Sequence, residues 1–244
     1  MRQSGAAPQV IAALDVESRL AAIGLVASLR GTIGLFKVGS RLFTAEGPGM
    51  IAEITEAGGS VFLDLKFHDI PATVAGAVRA ACALRAFMMT IHAAGGAAMM
   101  RAAAEEAAAH HARTGLPRPL LVGVTVLTSM SGADLAEVSG YEGAVEDLVL
   151  RRAVLAHEAG LDGVVASVAE TARIRAELGR RFVIVTPGIR PAGAGAGDQK
   201  RTATPREAAE AGADYLVVGR PISEAPDPAA AATAIVAGIA GAAS

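Results

Sequence analysis

Apolar positions along the chain gather into eight short runs rich in Val, Ile, Leu and Phe: Val10–Leu14, Ile33–Val38, Ser60–Leu65, Met88–His92, Leu120–Leu127, Gly163–Ala166, Phe182–Thr186 and Tyr215–Val218. Their length and β-branched content predict strands. The segments between them carry Ala, Leu, Glu and Arg at helical spacing. Val74, Ala77, Val78, Ala81 and Leu84 form one apolar stripe, and Leu148, Val149 and Leu155 lie opposite Arg151, Arg152 and Glu158. Strands that alternate with helices pair in parallel through right-handed crossovers, and eight such units close into a (β/α)8 barrel. A doubly wound open sheet is the second choice. Neither a linker nor a long charge run divides the chain, which predicts one domain over residues 1–244.

Composition narrows the function classes. With 52% hydrophobic and 19% charged residues, the chain can bury a large core. A formal net charge of −2 gives no reason to expect nucleic acid, so the expected partner is a small molecule. The lone Cys82 can form neither an internal disulfide nor a cysteine zinc site, which fits a reducing, cytoplasmic compartment. The Ala-rich stretch from Ala229 to Ala243 is too short to span a bilayer and is expected to be a closing helix.

In a barrel, chemistry collects at the C-terminal ends of the strands. Polar residues fall there: Asp15 closes the first run, Lys37 the second, Asp64 and Lys66 the third, His92 the fourth, Thr128 the fifth, Arg190 the seventh, and Gly219 and Arg220 the eighth. Any one of them could be an ordinary strand-end turn or cap. Their joint placement at one rim favours a site. The strongest signal is Asp64-Leu65-Lys66-Phe67-His68-Asp69. Strand alternation sends Asp64 and Lys66 to one side and Leu63, Leu65 and Phe67 to the other. Buried charges need pairing, so the motif suits electrostatic work better than packing; a surface salt bridge is the bland alternative. Beyond the seventh run, Thr186-Pro187-Gly188-Ile189-Arg190 leads through the Gly-rich stretch 192–197 to Asp198-Gln199-Lys200-Arg201, the pattern of a mobile loop around 190–201. Gly219-Arg220 then follows strand eight, where barrels commonly hold phosphate. Arg offers a planar fork to phosphate oxygens and Gly permits close backbone approach, so a phosphorylated substrate is expected.

These strings, together with Ala12-Ala13-Leu14-Asp15, Phe36-Lys37-Val38-Gly39, Val124-Thr125-Val126-Leu127-Thr128-Ser129 and Gly197-Asp198-Gln199-Lys200-Arg201, resemble the orotidine 5′-phosphate decarboxylase family in order from first strand to last. The resemblance implies decarboxylation of orotidine 5′-monophosphate to UMP with no metal or organic cofactor. It implies Lys66 as the cation beside pyrimidine C6 and the proton donor, with Asp64 near the departing carboxylate. Lys37 and Asp69 complete an alternating charge array. By the same resemblance Asp15 and Lys37 bind ribose hydroxyls, Thr128 lies against the pyrimidine, Gln199 bridges base and phosphate, and Arg190, Gly219 and Arg220 serve the phosphate. Asp69 and Thr73 reach the neighbouring subunit's site, which implies a homodimer. His92 is expected to be structural. Ala72 departs from the polar residue that many relatives carry there. Two rivals remain: a metal-dependent sugar-phosphate lyase or decarboxylase on the same barrel, and a non-catalytic phosphate-binding barrel.

Overall fold

The computed structural model describes residues 7–191 and 202–240. Eight parallel strands close into a barrel in sequence order: β1 (Gln9–Ala13), β2 (Leu35–Gly39), β3 (Ser60–Phe67), β4 (Met88–His92), β5 (Leu120–Val124), β6 (Gly163–Val165), β7 (Val183–Thr186) and β8 (Tyr215–Val218), with β8 pairing back onto β1. Helices connect successive strands and form the outer layer. The open-sheet alternative is excluded by the closure. The Gly-rich stretch of the expected mobile loop, Gln199 included, lies outside the described residues.

Strand alternation sorts the apolar side chains into two cores. Ile11, Ala13, Leu35, Phe62, Met88, Val122, Val185 and Val217 fill the barrel, while Ala12, Phe36, Leu63, Met89, Leu121 and Leu216 pack outward against the helices. The expected stripe on the helix Pro71–Ala83 buries Val74, Val78 and Ala81. The closing helix is Pro228–Ala240. Among the described residues, no helix is long and apolar enough to cross a membrane.

The N-terminal rim of the barrel is tied by ion pairs that serve the fold. Asp162 takes both Arg118 and the Leu121 backbone N–H, and Asp214 takes Arg175 and the Ile184 N–H. The expected Arg face of the helix Val145–Glu158 needs one correction. Arg152 is half-buried and donates to the Thr125 carbonyl at 2.6 Å, because its spacing of three and four residues from the buried Val149, Leu148 and Ala156 turns it toward the end of β5. Its burial pushes the guanidinium pKa down.

Candidate functional site

Four charged side chains meet at the C-terminal ends of β1, β2 and β3. Lys37 Nζ lies 3.0 Å from Asp15 Oδ1 and 3.7 Å from Asp64 Oδ2, and Lys66 Nζ donates to both oxygens of Asp64 at 2.9 Å. The order is Asp15, Lys37, Asp64, Lys66, with signs alternating. Lys37 and Asp64 are each only 12% exposed at the side chain, whereas Lys66 is 38% exposed and presents its ammonium group to the cavity. Lys37 does not close its strand as expected; it lies inside β2, two residues before Gly39, and points inward.

Asp64 and Lys66 share a side, as alternation predicts, but the local backbone is not a regular strand. Leu63 pairs with Met89 and Phe67 with Ile91, so four steps on β3 match two on β4. Lys66 has φ of 51°, a left-handed conformation uncommon for a residue with a side chain. This bulge folds Lys66 back over Asp64, and such devices gather at functional sites because they re-aim side chains. Leu63, Leu65 and Phe67 all pack against the outer core.

The charged row lines a cavity of about 300 Å³. Phe62, Val124, Val126 and Val217 supply apolar walls, and Thr128, Ser129, Gly188, Arg190, Gly219 and Arg220 complete the rim. An added Cβ at Gly219 would meet Asp15 Oδ2 at 3.4 Å. Across the mouth, burial and the neighbouring Arg220 hold the Arg190 guanidinium pKa below its usual value, with Glu224 opposing. Two guanidinium groups that line the same cavity favour an anion there. Arg190 is anchored at the base of its loop, since its N–H donates to the Ala203 carbonyl at 2.9 Å and Ala203 N–H donates to the carbonyl of Gly188.

Asp69 and Thr73 do not line this cavity. Both are exposed, and the Asp69 carboxylate accepts the Ile70 N–H at 2.6 Å where the helix Pro71–Ala83 begins. His92 ends β4, and its Nδ1 accepts the Ala94 N–H at 3.2 Å. Its ring stacks on His68 at 5.0 Å. Burial first, then His68, Arg152 and Lys66, push its pKa down to about 4, so it is neutral near pH 7.

No motif in the sequence points to Thr90, a fully buried residue of β4 whose hydroxyl contacts both Asp64 and the Lys66 backbone. The only signal in the chain was a threonine at an inward-facing position of an apolar run, which ordinarily signals β propensity alone.

Comparison with known proteins places this geometry in context. A model of the orotidine 5′-phosphate decarboxylase / HUMPS family matches residues 8–235. An orotidine 5′-phosphate decarboxylase of Moorella thermoacetica is 53% identical over 231 residues, covering 95% of this chain and 92% of that protein. One from Syntrophotalea carbinolica is 53% identical over 228 residues, covering 93% of each. Among solved structures, the crystal structure of orotidine 5′-phosphate decarboxylase from Lactobacillus acidophilus superposes with a TM-score of 0.84 at 35% identity, covering 96% of this chain and 99% of that one.

Proposed function

The chain belongs to the orotidine 5′-phosphate decarboxylase / HUMPS family, and from that premise we propose the part that each charge plays in turnover. The reaction is decarboxylation of orotidine 5′-monophosphate to UMP and carbon dioxide, in pyrimidine biosynthesis. When the bond from C6 to the carboxylate carbon breaks, the electron pair stays on C6, where no adjacent carbonyl accepts it. Stabilisation must come from fixed charges already in place before the reaction. The observation that carries the reading is the alternating row along the cavity that ends in Lys66, the more exposed member of its pair with Asp64.

In this reading the Lys66 ammonium stands beside C6, opposes the developing charge, and transfers one proton to it. The neutral amine regains a proton from solvent after product leaves. Asp64 orients Lys66 through two hydrogen bonds and faces the departing carboxylate, so that their repulsion is relieved as carbon dioxide forms. Lys37 and Asp15 bind the ribose hydroxyls, and Thr128 lies against the base. Arg190 and Arg220 take the phosphate, whose binding energy helps to fix the reacting end.

Asp69 and Thr73 belong to the same reading as donors to the neighbouring subunit's site. Their exposure beside Ile70, which is 67% exposed, supports a homodimer through this edge. A cytoplasmic location also goes with it, and the buried free thiol of Cys82 is compatible with that. The metal-dependent rival is disfavoured by Lys37, whose ammonium group occupies the space between Asp15 and Asp64 where a cation would sit. The deciding experiment is the loss of ultraviolet absorbance of orotidine 5′-monophosphate in EDTA. Sustained turnover is expected. No turnover of this substrate would favour the rivals, and magnesium-dependent turnover of a sugar phosphate would then tell the metal-dependent enzyme from the non-catalytic barrel.

A further inference from the structure

We propose that Thr90 is a positioning residue for the Asp64 and Lys66 pair, an inference that rests on the reading above. The bulge that brings Lys66 over Asp64 creates a local problem. Between the pairings of Leu63 with Met89 and Phe67 with Ile91, residues 64–66 have no partner register on β4, and Lys66 sits at φ 51°. The Lys66 N–H is therefore turned out of the strand ladder, and a buried amide left unpaired is costly. Thr90 stands opposite this gap. Its Oγ1 accepts the Lys66 N–H at 2.8 Å and donates its own proton to Asp64 Oδ1 at 3.1 Å.

One hydroxyl thus holds the backbone of the proton donor and the carboxylate that orients that donor's side chain. Because Asp64 takes the single hydroxyl proton, a lone pair is left for the Lys66 amide, and the two bonds are mutually consistent. Thr90 is well suited to the task. It is wholly buried, does not line the cavity, and its main chain is fixed by pairing with Val122 of β5. A β-branched side chain has few χ1 states, which limits the places the hydroxyl can take. Thr90 cannot touch a ligand; its effect passes through Lys66 and Asp64.

The test compares Thr90→Val, which keeps the shape and removes the hydroxyl, with Thr90→Ser, which keeps the hydroxyl and removes the methyl. Misplacing a reacting group by about 1 Å can cost about 10²-fold in rate, so kcat of Thr90→Val should fall by about that factor while KM stays within about threefold. Thr90→Ser should keep kcat within about fivefold of the parent, since the hydroxyl contacts persist. Amide hydrogen exchange at Lys66, read by nitrogen-15 NMR, should quicken at least about tenfold in Thr90→Val and not in Thr90→Ser, the loss of about one hydrogen bond. Should Thr90→Val not fold, Thr90→Ala read against Thr90→Ser gives the same contrast. A Thr90→Val kcat within threefold of the parent, equal losses in the Val and Ser variants, or unchanged Lys66 exchange would each overturn the proposal. Absence of decarboxylation in the parent would instead overturn the functional reading, and the exchange measurement would still decide whether Thr90 holds Lys66.

Discussion

Replacing Asp64 by asparagine removes the one negative charge that Lys37 and Lys66 share, and its effect on stability follows from the geometry. At an effective dielectric constant of about 20, a carboxylate attracts ammonium groups at 2.9 and 3.7 Å by about 6 and about 4.5 kcal/mol. Desolvation of a side chain only 12% exposed offsets much of this. Breaking a buried pair from one side costs about 3–5 kcal/mol. Here Lys66 is 38% exposed and can turn to water, and Lys37 keeps Asp15, so we expect about 2–3 kcal/mol. For a chain of this size that lowers Tm by about 5–10 °C. Asp15→Asn is the control, because the Asp15 side chain is 51% exposed and its pair with Lys37 should contribute at most about 1 kcal/mol. Calorimetric melts of both variants at pH 7 make the comparison. An Asp64→Asn melt equal to or above that of Asp15→Asn would show that the buried row is held together by the scaffold and not by its own attraction.

Removing Arg220 should weaken binding of orotidine 5′-monophosphate and UMP far more than binding of the unphosphorylated nucleosides, measured by calorimetric titration; equal losses would contradict the phosphate assignment. Mixing inactive Lys66→Ala and Asp69→Ala homodimers under subunit exchange should restore roughly a quarter of parental activity, because about half of the dimers are mixed and each has one intact site. No recovery despite exchange proven by mass spectrometry would place Asp69 in its own chain's site or exclude this dimer. Away from the site, Arg79 and Arg113 hold the Glu106 carboxyl pKa down to about 2. A depressed carboxylate pKa adds stability above the unfolded value, 4.5, that is lost as pH falls toward 2. The Tm gap between parent and Glu106→Gln should therefore be widest above pH 5 and close across that window.

The strand order and the rim location of the charges were legible because periodicity and burial obey the same alternation. Met88–His92 and Tyr215–Val218 match β4 and β8 residue for residue. The fifth run reads three residues too long, since Thr125, Val126 and Leu127 leave the sheet after Val124 yet stay apolar or β-branched. Val126 is still buried, because it builds the cavity wall. The bulge at Lys66 left no trace in the sequence. Glycine usually marks a left-handed position, but here packing and Thr90 impose it on a lysine. Arg152 departs from its expected face for a plainer reason: it lies four residues from Leu148 and Ala156 and three from Val149, so the helical period itself puts it on the buried side.

The central claim is that the Lys66 ammonium both opposes the charge at C6 and supplies its proton. Single-turnover decarboxylation of orotidine 5′-monophosphate by Lys66→Ala, with enzyme in excess and folding verified by circular dichroism, tests it most directly. Loss of both roles together should slow the step by at least about 10³-fold while UMP still binds through the phosphate residues. A rate within tenfold of the parent would contradict the account.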